Sequence, residues 1–336
     1  MLKIISELRE RAKGYSKIIC LPEGEDDRTL KAADYINRNK LSKLILLGDK
    51  ASIENKAKAS NYNLDSIEII DPKESKYLDS FSLKLSELRK HKAMTKDDAM
   101  KLLLDKPAYF GAMLVRESLA DGFVAGAIHT TRDVARAALW CIGIDPEIRT
   151  MSSSFIMVLD DETFGEGGVF IFADCGIVPK PSPKQLANIA TSASRLMKNI
   201  FAATPRVAVL SFSTKGSGHT PDTEKLIEAV RLAKEKNPDL IIDGELQADA
   251  ALVPEIASYK SPDSPVAGKA NVLIFPNLES GNIAYKLTQR LGKARAVGPL
   301  LHGVLAPCSD LSRGCDAEDI IDIVCVTALR CAYTKK

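Results

Sequence analysis

Short apolar runs alternate with stretches of helical period through most of this chain, and that alternation limits the fold more than any other feature. In the first 145 residues, strand-like runs stand at Lys17–Leu21, Lys43–Leu47, Ile67–Ile70 and Phe123–Ala127. Stretches of helical period fill the gaps, at about 27–38, 50–59, 74–90, 95–105, 107–120 and 131–141. Thr95-Lys96-Asp97-Asp98 has the form of a capping box, and Pro107 suits a first helical position. Strands separated by helices cannot pair as hairpins, so the pattern predicts a parallel sheet covered on both faces.

The pattern changes near residue 150. Ser154–Asp160 and Val169–Asp174 flank a glycine-rich stretch, Gly165-Glu166-Gly167-Gly168, which predicts an antiparallel pair. Alternation then resumes: helix 183–201, strand 206–212, helix 221–236, strand 240–243, helix 246–258, strand 271–275, helix 281–291 and strand 295–301. A last helix is expected over about 316–333. The proline- and serine-containing stretch from Tyr259 to Gly268 reads as a surface loop. Two α/β lobes with a cleft between them is the simplest architecture for this length.

Composition excludes several function classes. A net charge of +2 over 336 residues gives no nucleic-acid surface. No run approaches the roughly 18 apolar residues of a membrane span, and no signal peptide opens the chain, so a cytoplasmic location is expected. The seven cysteines include no C-x-x-C pair, and the four histidines are scattered, so no metal site is expected.

Four polar segments carry the candidate chemistry. Asp310-Leu311-Ser312-Arg313-Gly314-Cys315-Asp316-Ala317-Glu318-Asp319 precedes an apolar run at helical spacing, so it sits at a helix mouth where free N–H groups favour anions. The same acids fit a capping pair, Asp316 at the cap and Asp319 three residues on. Ser213-Thr214-Lys215-Gly216-Ser217 follows a strand and precedes a helix, and suits either an anion cradle or a plain loop. Gly126 to Arg136 repeats the arrangement, with Thr130 and Thr131 at the helix start and Arg136 one turn beyond Arg132. Asn277 to Arg290 places Asn282, Lys286 and Arg290 after another strand, at the strand ends where open α/β sheets bind ligands. Arg89-Lys90-His91-Lys92 closes a helix, where basic side chains also complement the dipole. No G-x-G-x-x-G follows the first strand. Leu21-Pro22-Glu23-Gly24-Glu25-Asp26 stands there, and its acids would repel a pyrophosphate.

Together these segments resemble the phosphate acetyl/butyryltransferase family over nearly the whole chain. The resemblance implies a two-lobed α/β fold like that of isocitrate and isopropylmalate dehydrogenases, with residues 1–150 plus 299–336 in one lobe and 151–298 in the other. It implies reversible acetyl transfer between acetyl-CoA and phosphate, with coenzyme A as substrate, no bound cofactor, no metal and a homodimer. It makes Asp319 the base for the CoA thiol, Ser312 the assisting hydroxyl and Arg313 a substrate-binding arginine. Arg136, Arg290 and Arg89 become phosphate or CoA ligands, and the strand-end loops add Lys286, Asn282, Thr130, Thr131, Ser213, Thr214, Lys215, Gly216 and Ser217 as candidate substrate-binding residues. Alternatives are a propionyl or butyryl transferase, an NAD-dependent hydroxy-acid dehydrogenase on the same fold, and a non-catalytic CoA- or phosphate-binding module.

Overall fold

The computed structural model describes residues 2–334. Its elements run α1 (Leu2–Lys13), β1 (Ile18–Leu21), α2 (Asp27–Asn39), β2 (Lys43–Leu47), α3 (Lys50–Ala59), β3 (Glu68–Ile70), α4 (Leu78–Leu88), α5 (Lys96–Asp105), α6 (Pro107–Arg116), β4 (Gly122–Ala125) and α7 (Thr131–Ala137). They continue with β5 (Ser152–Val158), β6 (Val169–Ala173), α8 (Pro183–Phe201), β7 (Val207–Leu210), α9 (Pro221–Lys236), β8 (Ile242–Leu246), α10 (Ala248–Leu252) and α11 (Pro254–Lys260). The last are β9 (Val272–Ile274), α12 (Leu278–Arg290), β10 (Arg295–His302), β11 (Cys308–Asp310) and α13 (Ala317–Tyr333). Two compact units result, one of residues 2–144 with the segment from 304 onward, the other of 145–303.

In the first unit the strands lie in the order β3-β2-β1-β4-β11, and every pairing is parallel. All four residues of β4 are buried, as are Ile19, Cys20 and Leu21 of β1, as a strand covered on both faces requires. α13 covers one face of β1 and β4, and α6 the other. The apolar side of α13 buries Ile320, Ile321, Val324 and Leu329, each worth roughly 1.5–3 kcal/mol against exposure. α1 joins the same layer through Ile5, Leu8 and Ala12, and Arg9 Nε donates to the buried Asp322 Oδ1 of α13 at 2.7 Å.

In the second unit the order is β10-β5-β6-β9-β7-β8. β10 and β6 flank β5 antiparallel, and the remaining pairs are parallel. One core cluster is rich in aromatics: Phe155, Phe170, Phe172 and Phe275 pack with Met157, Leu246 and Leu273. α8 opens with a Ser182–Gln185 capping box and Pro183 at its start, a combination that fixes its first turn. No helix among the described residues is long and apolar enough to cross a membrane.

Most expected elements form, including the Thr95–Asp98 capping box, Pro107 at the start of α6 and the β5–β6 antiparallel pair. The departures have local causes. The helix expected over 246–258 breaks into α10 and α11 because Pro254 has no N–H to continue the ladder. The stretch expected to run helically to 141 leaves α-helical geometry after Ala137 and finishes as a π turn, Ala138–Ile142. β8 runs from Ile242 rather than over 240–243, because the acids Asp243 and Glu245 lie inside the strand and are buried there. α1 and β11 were not expected; β11 is Cys-Ser-Asp, with no apolar alternation to mark it.

Close backbone packing at the exit of β6 makes one glycine indispensable. A Cβ at Gly281, in α12, would lie 2.2 Å from the Asp174 carbonyl oxygen. Alanine normally stabilises a helix interior by about 1 kcal/mol over glycine. Here overpacking of roughly 1–3 kcal/mol outweighs that gain. Gly281→Ala is therefore expected to lower the chemical-denaturation midpoint, and an unchanged or raised midpoint contradicts the packing.

Candidate active site

Glu23, in the turn after β1, organises the carboxyl-terminal ends of β1 and β4. It is buried, and its Oε2 accepts the amides of Gly126 and Ala127 at 2.9 and 2.7 Å. Its Oε1 accepts those of Ile128 and His129 at 2.9 and 2.8 Å, and His129 Nδ1 lies 2.7 Å away. Burial alone would raise its proton affinity, but the His129 ring and the amides prevail and hold it below its ordinary value. The amides after β4 therefore serve the chain's own anion. The expectation that acids after β1 only repel a ligand missed this inward role. The two candidate hydroxyls beyond these amides are also engaged. Thr130 caps α7 by accepting the Asp133 amide at 3.2 Å, and Thr131 Oγ1 donates to Asp310 Oδ2 at 2.6 Å.

The turn between β11 and α13 carries Ser312, Arg313 and Asp319. Ser312 and Arg313 are exposed, and Ser312 Oγ accepts the Gly314 amide at 3.2 Å. Arg28 holds the turn in place. Its Nη1 donates to the carbonyls of Arg313 (2.8 Å) and Cys315 (3.1 Å), while Nη2 donates to Ala127 O and Asp26 Oδ2, both at 2.8 Å. One guanidinium thus joins the loops after β1, β4 and β11. At the helix mouth the capping pair forms: Asp316 Oδ1 accepts the Asp319 amide at 2.8 Å, and Asp319 Oδ2 accepts the Asp316 amide at 3.1 Å. Asp319 is half-buried. Burial pushes the Cys315 thiol up to about 11 despite the opposing charge of Arg28, so it stays protonated at neutral pH.

Asp310 stands two residues before Ser312 and is 1% exposed. Its Oδ1 has no hydrogen-bond partner, and a Cβ at Gly126 would come within 2.4 Å of that oxygen. Burial, aided by the charge of Glu23, raises this carboxyl from 3.8 to about 7. The Thr131 hydroxyl and the nearby Leu311 amide pull the other way without completing its shell.

Arg89 and Arg136 meet at one aromatic side chain. The Arg89 guanidinium carbon lies 4.4 Å from the Trp140 ring centroid and that of Arg136 5.7 Å, both within cation–π range. Tyr109 approaches the same indole edge-on at 5.8 Å. Arg136, near the end of α7, stands four residues before Trp140 of the π turn, whereas Arg89 follows α4 and reaches the indole from a distant segment.

The remaining candidates belong to the unit of residues 145–303. Ser213 is fully buried, and its Oγ donates to Glu245 Oε1 at 2.9 Å. The Gly216 amide donates to the same oxygen at 2.7 Å. Thr214 Oγ1 accepts the Gln247 amide at 3.0 Å, Ser217 Oγ accepts the Thr214 amide at 3.0 Å, and Lys215 pairs with Asp243. A ligand anion at this loop has to displace the chain's own carboxylates. On α12, Asn282 Nδ2 donates to Cys175 O at 3.0 Å, while Lys286 and Arg290 are exposed one turn apart. Lys286 lies over Tyr285, whose ring stacks on Phe155 at 4.0 Å.

A cavity of about 520 Å³ in the first unit is lined by Arg116, Asp121, Leu305 and Cys331. It lies before the starts of β4 and β11, at the opposite strand ends from Ser312 and Thr131.

Parallel strands whose carboxyl-end turn carries a hydroxyl, an exposed arginine and a carboxylate place the candidate site where α/β enzymes bind their ligands. The family model described as phosphate acetyl/butaryl transferase matches residues 3–328, and the chain belongs to that family. A phosphate acetyltransferase of Thermoanaerobacterium thermosaccharolyticum is 47% identical over 329 residues, covering 98% of this chain and 99% of its own. A solved phosphotransacetylase from Streptococcus pyogenes superposes with a TM-score of 0.93 at 42% identity, over 99% of each chain. The 4-hydroxythreonine-4-phosphate dehydrogenase of Klebsiella pneumoniae is 11% identical with a TM-score of 0.51, over 93% of this chain and 98% of its own, and shares the fold alone.

Asp310 gives this site a pH signature. The native carboxyl keeps its proton up to about 7, whereas the unfolded one loses it near 3.8. Between those values the unfolded state binds fewer protons, so this group's contribution falls as pH rises and is flat above about 7. Asp310→Asn is expected to be more stable than wild type by about 1–3 kcal/mol at pH 8, with the difference vanishing towards pH 4. Urea denaturation across that range checks it, and a pH-independent difference contradicts a buried neutral acid.

Proposed function

We propose that this chain catalyses the reversible reaction acetyl-CoA + phosphate ⇌ acetyl phosphate + CoA. The observation that carries the reading is the turn from Asp310 to Asp319, which brings a hydroxyl, an exposed guanidinium and a half-buried carboxylate to the mouth of α13. The names of relatives at 42–47% identity support acetyl over a longer acyl chain, and they do not favour a dehydrogenase.

In this reading Asp319 takes the proton from the CoA thiol. The thiolate sulfur then bonds to the acetyl carbonyl carbon of acetyl phosphate. Ser312 assists at the thiol, and Arg313 faces the phosphoryl group and the developing oxyanion. The carbon–oxygen bond to phosphate then breaks, phosphate departs, and the thioester remains. Arg89, Arg136, Arg290 and Lys286 supply further charge to phosphate or CoA. No resident cofactor is needed, because CoA enters as a substrate. The same reading takes a cytoplasmic homodimer, which sedimentation velocity on the purified chain tests.

Thioester absorbance with acetyl phosphate and CoA is the direct assay, and no turnover there ends the proposal. Asp319→Asn is expected to lower kcat about 10²–10⁴-fold with a near-native melting temperature. Asp316→Asn is expected to lose about 0.5–2 kcal/mol of stability with catalysis largely kept. The reverse pattern would make Asp319 a cap only. Cys315→Ala is expected to stay within about tenfold of wild type with intersecting double-reciprocal lines, since its thiol is held protonated. Parallel lines, or a loss beyond about 10³-fold, would point to an acyl-cysteine route.

A further inference from the structure

The chain has a single tryptophan, and it is the residue on which two separate candidate arginines converge. Two guanidinium groups gathered at one side chain repel each other, and proteins usually answer such charges with carboxylates. That answer is absent here: among the described residues neither Arg89 nor Arg136 pairs with an acid, and the buried Arg89 Nε has no hydrogen-bond partner. The nearby acid Asp133 is committed elsewhere, to Lys106 at 2.6 Å and to Thr130. By contrast, Arg9, Arg28 and Arg206 each hold a carboxylate. What Arg89 and Arg136 share is the indole.

A ring surface holds a guanidinium without occupying its N–H donors. A guanidinium held in this way keeps its planar fork for an oxyanion, whereas one bound to a carboxylate does not. The indole is itself well fixed. Tyr109, 1% exposed, meets it edge-on, and Arg116 Nη1 donates to the carbonyls of Cys141 and Ile142, closing the π turn at 2.8 and 3.3 Å. The π turn also matters for aim, because the extra residue it accommodates changes which way side chains after Ala137 point.

We infer that Trp140 is a positioning residue, holding Arg89 and Arg136 by its ring so that both guanidinium groups meet the phosphate groups of CoA. The inference rests on the reading of this chain as a phosphate acetyltransferase. Trp140 touches no reacting atom in it. It acts through the two arginines, so its loss weakens substrate binding and leaves the chemical step intact.

The test compares wild type, Trp140→Phe and Trp140→Leu by steady-state kinetics in CoA and acetyl phosphate, with melting temperatures alongside. Trp140→Leu is expected to raise KM for CoA about 5- to 30-fold, the range two partly exposed cation–π contacts are worth, with kcat within about threefold. Trp140→Phe, which keeps an aromatic face, is expected to recover most of that loss. In wild type, titration with CoA is expected to change the intrinsic tryptophan fluorescence, with a midpoint that follows CoA binding. A folded leucine variant with KM within twofold of wild type overturns the inference. So does an equal loss in both variants, a fall in kcat at constant KM, or fluorescence indifferent to saturating CoA. If Trp140→Leu does not fold, the phenylalanine variant and the wild-type titration still decide. Wild type that shows no turnover defeats the functional reading instead, and CoA-dependent fluorescence in that protein would leave the arginine–indole site standing.

Discussion

The carboxylate of Glu23 holds the rest of the first unit's strand-end architecture in place. An ionised group this buried costs several kcal/mol unless its lone pairs are answered. Four consecutive amides and the His129 ring answer them. The consequence reaches beyond one hydrogen-bond set. Binding residues 126–129 to the turn after β1 fixes where α7 begins, so it sets the cap at Thr130 and the direction from which Arg136 and Trp140 arrive. Arg28, five residues after Glu23, extends the link to the carbonyls of Arg313 and Cys315. Three loops distant in sequence are therefore held through one short segment.

The second unit repeats the device. Glu245 receives the Ser213 hydroxyl and the Gly216 amide, as Glu23 receives the loop after β4. In each unit a strand-end turn of donors is filled by an internal acid, which satisfies buried polar groups without a ligand. The candidate side chains left exposed are Ser312 and Arg313 in the first unit and Lys286 and Arg290 in the second. Guanidinium and hydroxyl groups can reorient around a ligand at little cost, whereas backbone amides locked to a buried carboxylate cannot.

Several elements could be read directly from the chain. The alternation of apolar runs with helical periods gave the parallel strands, because burial on both faces leaves no other pattern. Capping at Thr95, Ser182, Thr220 and Asp316 is equally local, since a side chain three residues from its partner amide needs nothing from elsewhere. The reach of α7 was less legible: 131–141 has helical period throughout, yet the backbone changes to a π turn where Trp140 is placed. β8 hid for a related reason, since acids in a buried strand break the apolar signature unless their partners on other loops are known.

The amino-acid sequence by itself determined the secondary elements, the position of the Asp310–Asp319 turn at a helix mouth and the residue types available for anion chemistry. All of these depend on spacing along a few turns of chain. Only the tertiary structure decided which donors are already engaged, that burial raises the Asp310 carboxyl to about 7, and that Arg89 reaches the Trp140 ring beside Arg136. Those outcomes depend on desolvation and on contacts between segments far apart in the chain. Free energies of that kind depend on distance through space and on the absence of water, neither of which sequence spacing encodes.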